Sequence, residues 1–162
     1  MDTKSVIMVQ ISDDRKWTLE ALHCACLLAR KMSARIALVK MISVDYPAWL
    51  GADLGYMNFT YQEHADFVDY QATIEDYGVE FTPLLFQYVS LAGAIAQAAE
   101  HVNAQMVLAK IPESTIPLWT KFQEWTLHRQ LVRQKREWIQ HPVYDRGASK
   151  PIPEAVAEID HH

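Results

Sequence analysis

Glycine is scarce in this sequence. The 162 residues include only five, and none lies between Gly93 and Gly147. Loops that wrap an anion with backbone N–H groups lean on glycine, which has no Cβ to block the approach and adopts positive φ freely. That whole stretch is poorly made for such a loop. Cysteine is scarcer still, with Cys24 and Cys26 alone. Two apart in a helical pattern, they point to nearly opposite sides and can neither pair nor share a metal without distortion, so they read as small buried apolar residues. Positive charge is also short. At a net charge of −5 the chain lacks the basic surface that releases counterions from a nucleic acid. No apolar run approaches the roughly 20 residues that span a bilayer. The opening MDTKSVIMVQISDD is broken by Asp13 and Asp14 too early for a signal peptide. These absences point to a cytoplasmic protein that engages neither nucleic acid nor membrane.

Catalytic and metal signatures are missing as well. His23, His64, His101, His128 and His141 show no H-x-x-x-H or H-E-x-x-H spacing for zinc. No G-x-S-x-G elbow occurs, and Ser90 and Ser114 have no identifiable base. Asp66, Asp69, Glu75 and Asp76 lie along one helical pattern, where carboxylates form the wet face. No enzyme is expected.

What the chain does have is regular alternation, in a length and a 50% hydrophobic content that suit one domain. SVIMVQI (5–11) is a short apolar run of the kind covered on both faces of a parallel sheet. Ser12, Asp13 and Asp14 are good helix N-cap types, and RKWTLEALHCACLLARKM follows with a broad apolar face of Trp17, Leu19, Ala21, Leu22, Ala25, Leu28 and Ala29. ARIALVKMI (34–42) reads as a second interior strand. The connection SVDYPAWLGADLGYMNFT is long, and its Tyr46, Trp49, Leu50, Leu54, Tyr56 and Phe59 are too apolar for disorder, so it should pack on a partner, a ligand or its own domain. Thr60 and Glu63 have capping-box spacing at the start of a helix that stops at Gly78. VEFTPLLFQYV (79–89) is a third strand, placed at an edge by Pro83, whose missing N–H an interior strand would not tolerate. SLAGAIAQAAEHVNA (90–104) predicts a helix small enough to approach the sheet closely, and QMVLAKI (105–111) a fourth strand. A long helix over about 118–140 and a short strand in HPVYDR complete the pattern. Strands alternating with helices predict an open, parallel, doubly wound α/β sheet with right-handed crossovers. The domain spans 1–145, and 146–162 reads as a flexible tail with a short amphipathic patch.

These segments resemble the universal stress protein family. The matching positions are Ala21, Leu22, Ala25, Leu28 and Ala29 in the first helix, Ala34, Ile36 and Leu38 in the second strand, and Ala94, Ile95, Ala99, Ala104, Val107 and Leu108 further on. The resemblance implies a five-stranded sheet in the order 3-2-1-4-5, like that of the adenine nucleotide alpha hydrolases, and a homodimer in which the last strand, HPVYDR, pairs across a two-fold axis. The nucleotide-binding branch of that family has an aspartate ending its first strand and G-x-x-G-x9-G-[ST] after its fourth. Here Ser12 stands at the aspartate's position, with Asp13 next to it, and Lys110 and Glu113 replace the first two glycines. The third falls in the glycine-free stretch. Pro112 removes a donor and Glu113 would set negative charge beside a phosphate. ATP is therefore not expected to bind in the family's usual way, and no cofactor is expected.

Ligands of open α/β sheets bind at the carboxyl ends of the strands. The rim residues here are Ser12, Asp13, Met41, Lys110, Glu113, Ser114 and Thr115. In one reading Lys110 holds an anion, assisted by the hydroxyls of Ser114 and Thr115, which would make the chain an AMP or ATP sensor. In the other, Lys110 snorkels at a strand end and Ser114 with Thr115 caps the next helix. The last helical segment carries Lys121, Arg129, Arg133, Lys135 and Arg136 against Glu124 and Glu137, interleaved with Trp119, Phe122, Trp125 and Trp138. It reads either as a face for an acidic or phosphorylated partner or as an amphipathic helix with a solvated basic side, its tryptophans against the sheet or a second subunit. The leading expectation is a homodimeric interaction module with a protein partner yet to be identified. The aromatic connection and the tryptophan-bearing helix are the candidate contacts.

Overall fold

The computed structural model describes residues 4–43 and 60–142. Its strands are β1 (Val6–Ile11), β2 (Arg35–Ser43), β3 (Phe81–Tyr88), β4 (Met106–Leu108) and β5 (Glu137–Ile139); its helices are α1 (Arg15–Met32), α2 (Tyr61–Asp76), α3 (Leu91–Val102) and α4 (Pro117–Arg133). The sheet has five strands in the order β3-β2-β1-β4-β5, and every pairing is parallel. Strand order and direction agree with the expectation. Pro83 lies opposite Leu38 in β3, which is an edge strand as its missing donor requires.

Alternation along β1 divides the core in two. Ile7, Val9 and Ile11 pack with Trp17, Ala21, Leu22 and Leu28 of α1 and with Tyr70 and Ile74 of α2. Val6 and Met8 face the other side, where Ala92, Ile95 and Ala99 of α3 meet Leu127 and Leu131 of α4. The alanines of α3 let its backbone come close to the sheet. Cys24 and Cys26 are both fully buried and free. Burial pushes their thiols up, to about 11 for Cys24 and about 12 for Cys26.

Local signals act where expected. The Asp14 carboxylate accepts from Trp17 N at 3.2 Å to cap α1, and Thr60 Oγ1 accepts from Glu63 N at 3.0 Å to cap α2. Gly78, at φ +70°, ends the turn after α2.

The C-terminal elements differ from expectation. Helix α4 ends at Arg133 rather than near residue 140, and a strand, Glu137–Ile139, lies in the stretch expected to be helical. Lys135 adopts φ 61°, its N–H bonds to Val132 O, and Arg136 N–H bonds to Leu131 O at 2.9 Å. These bonds close the helix in the manner of a glycine terminus without a glycine, which is why the sequence carries no visible stop there. Arg136 is then held by Gln134 Oε1 and the carbonyl of Ala104. Trp119 and Trp125 do not face the sheet either: both are about half exposed, and Thr120, Leu127 and Leu131 make the buried side of α4. The aromatic connection 46–59, most of HPVYDR and the tail 146–162 lie outside the described residues.

Candidate functional site

In this sheet the strand order reverses between β1 and β4 while every strand stays parallel, and the crevice at their carboxyl ends is the expected binding position. A cleft of about 390 Å³ opens there. Of the rim residues expected from sequence, Ser12, Asp13, Met41, Lys110 and Glu113 line it, whereas Ser114 and Thr115 do not. Gln10, Asp14, Lys40, Tyr88 and Pro112 also line it. A larger cleft of about 930 Å³ adjoins it between α2 and β3 and shares Ser12, Asp13 and Lys40, with Phe67, Tyr70 and Leu84 supplying apolar wall.

Several backbone donors of the rim are turned onto side chains of the protein itself. Lys110 N–H donates to Gln10 Oε1 at 2.8 Å, and Ile111 N–H donates to Gln140 Oε1 at 3.0 Å. Pro112 has no donor to give. Ser114 N–H donates to Thr120 Oγ1 at 2.8 Å, and Ile116 N–H donates to Ser114 Oγ at 3.3 Å. The turn after β1 repeats the arrangement, with Ser12 N–H on Thr18 Oγ1 at 3.0 Å and Asp14 N–H on Ser12 Oγ at 3.2 Å. A phosphate nest needs successive N–H groups converging on open space. Here those donors already have acceptors.

Charge follows the same pattern. Lys110 Nζ lies 2.9 Å from Asp14 Oδ2, and Lys40 Nζ lies 3.3 Å from Glu63 Oε2. The hydrogen bond from Lys110, then that from Trp17 N, hold the Asp14 carboxyl below its ordinary value. Both lysines of the cleft are thus matched by carboxylates, and Asp13 and Glu113 add further negative charge. Burial, then the charge of Asp13, push the Tyr88 hydroxyl above its ordinary pKa, so it stays a neutral phenol at the mouth. Among the described residues no cluster of three or more His, Cys, Asp or Glu side chains could hold a metal ion.

Sequence reasoning missed Gln10 and Gln140. One visible signal pointed to Gln10: it is the lone polar residue in VIMVQI, and a buried polar group calls for a partner. Nothing local pointed to Gln140, because its partner is 29 positions away. Ser114 closes the loop before α4 by donating to Ile116 O at 2.6 Å and accepting from Thr120 Oγ1 at 3.1 Å. The N-cap itself is Ile116, which makes no side-chain cap bond.

Fold and rim together define an open α/β protein whose switch-point cleft is bordered by backbone donors bonded to its own side chains. No family model matches the chain, and no curated protein does either. Solved structures do. A universal stress protein family member from Burkholderia pseudomallei is 22% identical at a TM-score of 0.56, with 86% of this chain and 96% of that one covered. A universal stress protein solved in complex with cAMP is 12% identical at 0.55, over 85% and 95% of the two chains. A universal stress protein from Archaeoglobus fulgidus is 15% identical at 0.51, over 83% and 90%. The fold of this chain is that of the universal stress proteins. Among the described residues, no helix is long and apolar enough to cross a membrane.

Proposed function

We propose that this chain is a universal-stress-protein-like regulatory module of the cytoplasm that works by association, without catalysis and without holding ATP through a glycine loop. The observation that carries this reading is the capture of the Lys110, Ile111 and Ser114 N–H groups by Gln10, Gln140 and Thr120. A triphosphate at this rim would have to displace those acceptors and separate Lys110 from Asp14. Association through a two-fold axis fits β5, whose outer edge carries no strand among the described residues. Sedimentation at micromolar concentration tests the dimer, and a monomer there overturns that part.

Calorimetric titration of ATP and AMP with magnesium, on protein freed of ligand by reversible unfolding, tests the rest. No heat up to millimolar nucleotide, over several temperatures, is the expected result. Micromolar binding would overturn the reading in favour of a second one, an AMP or ATP sensor using side chains of the rim. That second reading is favoured by the cleft itself, which Ser12, Met41 and Lys110 line, and by the cAMP complex of a similar protein. It requires affinity to fall in Ser12→Ala and Lys110→Ala.

A further inference from the structure

Helix α4 presents an apolar seam to solvent. Leu118, Phe122, Trp125, Arg129 and Val132 follow one another at spacings of four and three, which places them on one face. Leu118 is 78% exposed, and Trp119, Phe122, Trp125 and Val132 are each more than half exposed. The rings form a continuous strip: Trp119 stacks on Phe122 at 5.6 Å, Phe122 lies 6.2 Å from Trp125, and the Arg129 guanidinium sits 5.4 Å above the Trp125 ring. Exposed aromatic strips of this kind mark contact surfaces. The charges beside the strip have one sign. Lys121, Arg129 and Arg133 are exposed, and the helix's only carboxylate, Glu124, is partly covered and bonded to Gln140 Nε2 at 3.3 Å. A second copy laid across this face by a two-fold axis would bring cations against cations. An acidic, apolar segment fits instead.

The chain carries such a segment. PIPEAVAEID (151–160) has Ile152, Val156 and Ile159 at i, i+4 and i+7, with Glu154, Glu158 and Asp160 and no cation. Those are the anchor spacings of a helix lying in an apolar groove. Pro153 followed by Glu154 suits a helix's first turn, with Ile152 at the N-cap leading into it. The way there is short. Gln140 is tied both to Ile111 and to Glu124 of α4, so the chain leaves the sheet beside this helix. The ten steps from Pro142 to Ile152 reach at most about 33 Å, and α4 is about 25 Å long, so the whole seam is within range.

We propose that residues 152–160 dock in cis on the exposed face of α4, with Ile152, Val156 and Ile159 on the Trp119–Phe122–Trp125 strip and the carboxylates beside Lys121, Arg129 and Arg133. A short tether gives an effective concentration on the order of millimolar, so even a weak contact is well occupied. The docking is independent of whether β5 forms a dimer.

A nitroxide attached through Ala157→Cys to the full chain tests this, since the buried Cys24 and Cys26 thiols resist labelling. The indole N–H signals of Trp119 and Trp125 should fall to roughly half or below their intensity with the nitroxide reduced. They should recover when Ile152→Asp and Ile159→Asp are added. Undiminished signals in the labelled chain overturn the proposal. So does broadening of the same strength in an equal mixture of isotope-labelled unmodified chain and spin-labelled unenriched chain, which would place the segment of a second copy, or a second copy itself, on the seam.

Discussion

Replacing Gln10 by leucine removes one acceptor from the wall of the rim cleft and leaves its shape nearly unchanged. Gln10 is 4% exposed, and its Oε1 receives the Lys110 N–H at 2.8 Å. Leucine fills similar volume but leaves that N–H without an acceptor. Orphaning a buried donor costs about 1–3 kcal/mol, and the partly buried Lys110 N–H falls in the lower part of that range. Leucine recovers part of this because no side-chain amide need then be buried. A net loss of about 1–2 kcal/mol is expected, which for a chain of this size lowers Tm by about 2–8 °C. Urea titration followed by far-ultraviolet circular dichroism measures the first quantity and a thermal melt the second. Gln62→Leu is the control: it removes a 2.8 Å bond to Asp66 on an exposed helix face and should change stability by less than about 0.5 kcal/mol. Hydrogen exchange localises the effect. The Lys110 amide should exchange faster in Gln10→Leu, while the Ile111 amide, held by Gln140, keeps its protection. If Gln10→Leu is as stable as the parent and the Lys110 amide is no less protected, the side-chain capture of this loop is refuted.

Gly78→Ala isolates a backbone effect, because nothing lies within 4 Å of the position an added Cβ would take, while φ is +70°. It should cost about 1 kcal/mol in urea titration, and an unchanged midpoint would show that the turn relaxes to negative φ. Asp14→Asn keeps a good N-cap and removes the charge opposite Lys110. Because the folded-state pKa of Asp14 is depressed, its ionic contribution is complete above the unfolded carboxyl value of about 3.9 and is lost as pH falls through the lower folded value. The stability gap between parent and variant should therefore be flat from neutral pH down to mildly acidic pH and close below it; a gap that persists in full at the acid end would assign the effect to something other than charge.

Most of the fold was legible because its signals are local. The apolar runs of β1 and β2, the Asp14 and Thr60 caps, Gly78 and the edge-placing Pro83 each act within a few residues, and each operates as read. The failures fall where a residue does a job usually given to another type. Lys135 takes the left-handed position that glycine generally fills, so α4 and β5 ran together in the sequence pattern. Helix α4 also carries apolar residues on two faces, Leu127 and Leu131 inward and Phe122 and Trp125 outward, and periodicity alone does not say which face meets the sheet. At the rim, the type and place of Ser12, Asp13, Met41, Lys110 and Glu113 were readable from strand ends. Their occupation was not, since Gln10 meets Lys110 across 100 positions and Asp14 meets it across 96.

Those long-range bonds change what the rim can do. In a glycine nest the N–H groups converge on open space, so the loop gains its bonds only when an anion or water arrives, and ordering and binding are one event. In this chain the Lys110, Ile111 and Ser114 donors are satisfied at folding by Gln10 from β1, Gln140 from beyond β5 and Thr120 from α4. An arriving phosphate would have to exchange neutral bonds of about 1 kcal/mol each for charge-assisted ones of about 1.5–3 kcal/mol, and the repulsion from Asp13 and Glu113 would offset that gain. The same bonds tie β1, α4 and the residue after β5 to one loop, so hydrogen bonds that a glycine nest reserves for its ligand join the elements of the C-terminal half of the sheet instead.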